Sequence, residues 1–312
     1  MKKKLLVAAV AAVMVAPLAA NADPKVYGKF HVSIDRWDGD VSGDAFYVKS
    51  RASRLGVKGS EDLGGGLAVT YQAEFQVDID DNGGDNGPLW TARNQFVGLK
   101  GGFGEVRVGN HDTPYKISTG SLDYFSDEAG DYNATAGMVD RRAGNAIAYI
   151  SPTFGGLHIA AAIVPGEAPG TDGDDLHDGI SIAAMYSAGG LYAAIAYEDV
   201  EDLGAAPETM WRAGVGYDAG AFRVAAVYED RSDPDSESFF INAGFKFGNN
   251  EVKALYAKTD GGSDPDSFGI GLDHHFSKKT KGYIQYVDSE RQIQNYGVEE
   301  ANAFSVGLVT SF

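Results

Sequence analysis

The sequence predicts an all-β fold, a 16-stranded antiparallel transmembrane β-barrel, and three observations carry that prediction. Glycine fills 41 of 312 positions and Tyr and Phe 16 each, a bias toward short strands and tight turns over helices. Beyond the N-terminal segment the longest apolar run, Leu191 to Tyr197, is far too short for a spanning helix. The segments between turns nonetheless alternate with period two, as strands do when their two faces meet different surroundings.

In chain order, Lys2, Lys3 and Lys4 precede an apolar run from Leu5 to Ala20, closed by Ala20-Asn21-Ala22. A basic start, an apolar middle and a small-x-small end read as a signal peptide over residues 1–22, leaving 23–312 as one exported domain. In the first strand that follows, Val26, Gly28, Phe30, Val32 and Ile34 share one face, and Tyr27, Lys29, His31, Ser33 and Asp35 the other. Phe222, Val224, Ala226 and Tyr228 alternate with Arg223, Ala225, Val227 and Glu229. At the end Phe304, Val306, Leu308, Thr310 and Phe312 oppose Ser305, Gly307, Val309 and Ser311.

The connections have their own rhythm. Clusters of Gly, Asn, Asp and Pro mark short turns near residues 61–65, 101–103, 152–156, 189–190, 218–220, 248–250 and 277–279. Long connections alternate with them, near 37–45, 79–90, 112–141, 165–178, 200–207, 231–236, 260–265 and 290–301. The count between them is about 16 strands with both chain ends on the short-turn side, the layout of an outer-membrane barrel with short periplasmic turns and long external loops. In hydrocarbon every backbone N–H and C=O needs an internal partner, so a chain without spanning helices crosses only as a sheet closed on itself. A secreted soluble sandwich has the same local alternation; the loop rhythm and the aromatic last strand favour the membrane.

Composition removes other classes. The absence of Cys excludes a disulfide scaffold and thiolate metal sites. A net charge of −18, from 26 basic and 44 acidic residues, leaves nothing to neutralise nucleic-acid phosphates. The six histidines show no His-Glu-x-x-His spacing and no Gly-x-Ser-x-Gly elbow occurs, so no catalytic residue, metal or cofactor is expected. Asp78-x-Asp80-x-Asn82-Gly83 begins like a calcium loop, but Leu89 stands where the twelfth-position Glu belongs.

Several segments together carry a family resemblance. They are Val26-Tyr-Gly-Lys-Phe30, Ser53-Arg-Leu-Gly-Val-Lys-Gly-Ser-Glu-Asp-Leu-Gly-Gly-Gly-Leu67, Gly102-Phe-Gly-Glu-Val-Arg-Val-Gly109, Tyr149-Ile-Ser-Pro-Thr-Phe-Gly-Gly156 and the terminal Phe312. In this order and spacing the chain resembles the trimeric general porins of Gram-negative outer membranes, in particular the neisserial and comamonad branch. The resemblance implies a homotrimer in contact with outer-membrane lipid and lipopolysaccharide. It also implies a water-filled channel for small hydrophilic solutes and ions. Phe312 resembles the terminal signal read by the barrel-assembly machinery.

In such porins the third long loop folds into the barrel and faces basic side chains on the wall. Residues 112–141 occupy that position and contain Asp123, Asp127, Glu128 and Asp131. The resemblance puts Arg54, Arg93 and Arg142 at the wall positions, and Asp123, Asp127 and Glu128 on the loop opposite them. Parity supports Arg54, which shares a face with Gly56 and Lys58, and Arg142, which shares one with Gly144, Ala146 and Ala148. Arg93 is less clean because Val97 and Leu99 share its parity. Lys29, Arg36 and Arg141 are further candidates for the lumen. Arginine suits a water-filled gap because it stays charged and holds a planar fork.

Acids elsewhere crowd into the long connections, among them Asp78, Asp80, Asp81, Asp85, Asp172, Asp174, Asp175, Asp178, Asp233, Asp235, Asp260, Asp264 and Asp266. Their number tilts the expected ion preference toward cations, against the pull of the wall arginines. A barrel phospholipase and a non-conducting adhesin or structural barrel are the rival functions.

Overall fold

The computed structural model describes residues 24–39, 43–80, 90–167, 176–200, 209–232, 235–260, 265–290 and 301–312. The expected signal peptide lies outside these residues, as do Asp81, Asn82, Gly83, Asp85, Leu89, Asp172, Asp174, Asp175, Asp233 and Asp264. The first half of the sheet is β1 Lys25–Gly39, β2 Gly43–Ser50, β3 Arg54–Gly64, β4 Leu67–Val77, β5 Trp90–Gly101, β6 Gly104–Asp112, β7 Arg142–Ile150 and β8 Leu157–Val164. The second half is β9 Gly179–Ala188, β10 Leu191–Asp199, β11 Thr209–Asp218, β12 Phe222–Ser232, β13 Asp235–Phe247, β14 Asn250–Asp260, β15 Asp266–His275, β16 Thr280–Ser289 and β17 Ala301–Ser311.

Neighbouring strands pair antiparallel throughout, and β17 closes on β1 from Lys29↔Ser311 to Gly39↔Ala301. β1 pairs with β2 over Val32–Gly39 and with β3 over Lys25–Lys29. β2 and β3 are therefore two halves of one barrel strand, and the ring has the 16 strands the loop rhythm predicts. Among the described residues, closure leaves no open sheet edge, the condition for lying in hydrocarbon.

The two faces are inverted relative to a soluble barrel. Along β13, exposed Phe239, Ile241 and Phe245 alternate with buried Ser238, Phe240 and Asn242. Val97, Val215, Ile270, Ile284 and Val306 are exposed on the outside, whereas Asp35, Glu198, Arg212, Glu229 and Lys253 are buried within. Apolar out and polar in is the arrangement lipid demands, and it removes the soluble sandwich. Exposed aromatics gather near both strand ends: Trp211, Tyr228, Phe239, Tyr256, Phe268, Tyr286 and Phe304 at the long-loop end, and Tyr217, Phe222, Phe245, Phe247, Phe276 and Phe312 at the other. Such rings suit the two headgroup layers, where an apolar body and a polar tip are both solvated.

The tight turns have a local cause. Gly189 and Gly190, at φ +58° and +86°, join β9 to β10 in the two-residue geometry whose twist matches the flanking strands. A Cβ at Gly190 would also stand 2.4 Å from the Asp218 carbonyl oxygen.

Candidate functional site

Between β6 and β7 the chain leaves the sheet for residues 113–141, and this segment packs on the inward faces of β9–β16. It opens with α1 (Pro114–Thr119), whose first turn is capped by the Thr113 hydroxyl accepting from the Lys116 amide at 3.3 Å, with Pro114 at the position that needs no N–H. A 3₁₀ turn, Gly120–Leu122, follows. The second short helix, α2 (Tyr132–Thr135), is capped by Asp131 accepting from the Asn133 amide at 2.8 Å.

Room for the segment comes from glycines on the wall. A Cβ at Gly214 or Gly216 of β11 would meet the Leu122 side chain at 2.5 or 2.7 Å. Leu122, Phe125, Tyr132, Ala136 and Met138 then form one buried cluster with Ala225, Val227, Phe240, Leu255 and Ala257 of the wall. Polar groups complete the seat. The Tyr115 amide donates to Ser181 Oγ at 3.0 Å, and its hydroxyl donates to Glu229 Oε2 at 3.0 Å. Asn242 accepts from the Tyr124 amide (2.9 Å) and donates to the Leu122 carbonyl (2.8 Å).

Two buried ion clusters lock it further. Arg212 of β11 contacts Glu229 of β12, reaches Asp140 Oδ1 at 2.8 Å and donates to the Val139 carbonyl at 2.7 Å. Lys253 of β14 donates to Glu128 Oε2 at 2.7 Å and to the Tyr124 carbonyl at 2.9 Å. Lys281 of β16 takes the other Glu128 oxygen at 2.8 Å. A buried charge costs several kcal/mol unless paired and hydrogen-bonded, so these clusters tolerate no missing member.

The tip of the segment reaches β1, where Asp127, at φ +63°, pairs with Lys29 and lies 3.9 Å from Arg54 Nη1. The wall from β1 to β7 carries further half-buried cations. Arg93 Nε donates to Glu74 Oε1 at 2.7 Å, and Arg142 Nη2 to Asp112 Oδ1 at 2.8 Å. Lys116, on α1, is 3.2 Å from the same Asp112 oxygen. Each expected wall arginine stands beside a register shift. β1 changes its pairing register between Lys29↔Arg54 and Val32↔Ser50. The β4–β5 ladder shifts between Ala73↔Gln95 and Phe75↔Ala92, placing Arg93 and Asn94 in the irregularity. The β6–β7 ladder shifts beside Arg142, where Asn145 has φ +56°. Bulges re-aim the side chains next to them, which is why the parity of Arg93 with Val97 and Leu99 misleads.

The loop acids separate into two kinds. Asp123 and Glu128 are buried on the wall side. Asp123 accepts from the Phe125 and Tyr132 amides at 2.8 and 3.1 Å and staples the loop to itself. Burial, reinforced by nearby Asp131, pushes the Asp123 carboxyl well above its ordinary range. Burial also raises Asp131, to about 7, although it accepts from the Asp127 and Asn133 amides. Asp127 goes the other way: burial pushes it up, but Lys29 and Arg54 outweigh that and hold it below the usual carboxylate range. Among the other basic candidates, Arg141 reaches Glu198 at 3.4 Å, while Arg36 pairs with Asp44 in an exposed position. Lys116, Arg212, Lys253 and Lys281 do not stand out in the sequence; only the folded loop shows what they hold.

The model of the Gram-negative porin family matches residues 8–294. The chain belongs to that family. This porin is similar to the major outer membrane protein P.IB of Neisseria meningitidis serogroup A, 29% identical over 315 residues covering 91% of this chain and 92% of the relative. The P.IB protein of Neisseria lactamica is 27% identical over 326 residues with the same coverages. In structure the porin matches the anion-selective porin from Comamonas acidovorans with a TM-score of 0.76 at 24% identity, over 94% of this chain and 100% of that one. OmpF of Salmonella typhi, solved in complex with daunomycin, matches with a TM-score of 0.72 at 18% identity, over 93% and 97%. Family, relatives and fold make it an outer-membrane diffusion channel.

Proposed function

We propose that residues 113–141 narrow this porin's channel, and that hydrophilic solutes pass between the loop and the β1–β7 wall. The course of the loop carries the reading: it is seated on β9–β16 by buried clusters, and it meets the wall bearing Arg54, Arg93 and Arg142 at fewer points, through Lys116 at its start, Asp127 at its tip, and Ala129 and Ala134 near Trp37 and Tyr47. Around that gap Lys29, Arg54, Arg93 and Arg142 of the wall and Lys116 of the loop are accompanied by Glu74 and Asp112 of the same wall and by Asp127 of the loop tip, five cations to three carboxylates.

With Asp123 and Glu128 spent on seating the loop, the narrow region is net basic and favours anions, opposite to the preference expected from the count of loop acids. External acids lie in water and are screened over about 8 Å at physiological salt, so charges lining the gap weigh more per residue. The anion selectivity of the Comamonas neighbour supports the same direction. The test is a planar-bilayer reversal potential in a KCl gradient; an anion-directed value is expected, and a clearly cation-directed one overturns the assignment.

Three channels per assembly is the natural oligomer, since the OmpT neighbour from Vibrio cholerae is described in a trimer form. Single-channel recordings should step in threes. The terminal strand fits an assembly signal: the Phe312 amide donates to the Gly28 carbonyl at 3.1 Å, and its ring lies 5.6 Å from that of Phe30. Deleting Phe312 should lower assembled yield. We read this porin as a channel without enzymatic activity from its family and its relatives. An esterase assay of refolded porin tests this.

A further inference from the structure

Resting on the reading of the β1–β7 wall as the surface that sets selectivity, we propose that Arg51 and Asp35 form a further specificity-determining pair, placed in the lumen by a one-residue bulge at Arg51–Ser53. Residues 51 and 54 are three apart, so an uninterrupted strand would turn them to opposite faces. The registers show how this is avoided. Between Val32↔Ser50 and Lys29↔Arg54, two β1 residues face three, Arg51, Ala52 and Ser53. The extra residue reverses the alternation: Phe46 and Val48 point outward before it, Val57 points outward after it, and both arginines turn inward.

The bulge is held by specific bonds. Ala52 takes the left-handed φ of +48°. The buried Ser53 hydroxyl accepts from the His31 amide at 2.9 Å and donates to the His31 carbonyl at 3.0 Å, and the Arg51 amide donates to that same carbonyl at 2.8 Å. The backbone groups that the ladder loses are thus paired again. Arg51 Nε donates to Ser33 Oγ at 2.9 Å, while its Nη2 contacts the Asp35 carboxylate. Asp35 is fully buried and the Arg51 side chain retains 11% exposure, so the positive member of the pair is the one nearer the water. Neutral in sum, the pair presents its cation to passing ions.

The test uses four variants and two readouts, the anion-to-cation permeability ratio and the temperature at which the assembled porin dissociates. Arg51→Gln should move the ratio toward cations by about twofold, a single charge seen through a water-rich gap. Asp35→Asn should move it the opposite way by a similar factor, and the double variant should return it to the starting value. A pair that only holds the wall together would lower the dissociation temperature in both single variants and leave the ratio unmoved, which overturns the proposal. Arg54→Gln separates this from the underlying reading: if it leaves the ratio unchanged, the wall itself does not set selectivity. If it shifts the ratio while the Arg51 and Asp35 variants do not, only the present inference fails. Should a single variant not assemble, Arg51→Cys with Asp35→Asn supplies the only thiol in the chain. Cationic and anionic thiosulfonates applied after insertion should then shift the ratio in opposite directions, and equal or absent shifts overturn the proposal.

Discussion

The two halves of the barrel's inner wall use the same residue types for different ends. On the β9–β16 side Arg212, Glu229, Lys253 and Glu128 are sealed under the loop with side-chain exposures of 0–1%. On the β1–β7 side Arg54, Arg93 and Arg142 keep 13–25%. Two unit charges about 3 Å apart attract by roughly 5 kcal/mol at an effective dielectric of 20, and by about a quarter of that in water. The sealed pairs therefore hold a loop in place, and on the proposed reading the half-open ones leave field for a passing ion. What distinguishes scaffold from site here is access to water, not composition.

Breaking the sealed side should have the largest effect. Arg212→Met leaves Glu229 and Asp140 without their shared cation in a buried seat, a loss of about 3–5 kcal/mol for such a broken pair. Thermal dissociation should fall markedly, and the surviving channels should conduct more, with added noise as the loop comes away. An unchanged melting temperature would show that the cluster does not hold the loop.

Gly214→Leu tests the same seat without touching charge. Its side chain would occupy the space of Leu122 and Thr119, whose nearest atoms stand 2.5 and 2.8 Å from where its Cβ would sit. Overpacking of this kind costs about 1–3 kcal/mol. Single-channel conductance should change together with stability. A variant that loses stability with conductance intact would separate the loop from the narrowing.

Much of this was legible in the residues. The alternation of β1, β12 and β17, the rhythm of short and long connections and the 112–141 segment all follow from patterns that the strand period and turn chemistry impose. Parity puts Arg54 on the face where it meets Asp127, but the shift between Arg142 and Ala146 breaks the parity argument for Arg142, whose pairing with Asp112 only the structure shows. Bulges were not legible, because one extra residue changes no composition and reverses every later side chain; that hid Arg51 and blurred Arg93. The fates of Asp123 and Glu128 were equally hidden. Which carboxylate of a loop turns to the lumen depends on partners such as Lys253 and Lys281, more than 120 residues away.

On the open side the expected stability change is small and the functional change is not. Arg54→Gln and Arg142→Gln should each alter unfolding free energy by about 1 kcal/mol or less, as partly exposed ion pairs do, while Arg93→Gln should cost more because it leaves the buried Glu74 without its cation. Each should move the permeability ratio toward cations by about twofold to threefold, more at low salt than at high. Equal stability losses in Arg54→Gln, Arg142→Gln and Arg212→Met would erase the distinction between the two walls.

A last effect lies in the loop itself and is read by pH. Asp131 sits at about 7 in the folded loop, against about 4 in an open chain. The folded loop binds this proton more tightly, so its contribution is complete at low pH, declines as pH rises past the ordinary carboxylate range, and is gone above about 7. Asp127, held low by Lys29 and Arg54, acts in the opposite sense but only in stronger acid. Above pH 5.5 the Asp131 effect is therefore free of Asp127 and runs in the same sense as that of its buried neighbour Asp123, which is also raised. The two donors to Asp131, the Asp127 and Asn133 amides, report it directly. Their hydrogen-exchange protection, corrected for intrinsic rate, should decrease by on the order of thirtyfold between pH 5.5 and 8.5, and Asp131→Asn should flatten the profile. Protection that rises with pH would mean the carboxylate is stabilised as an anion, and the loop would then belong electrostatically to the open wall instead of the sealed one.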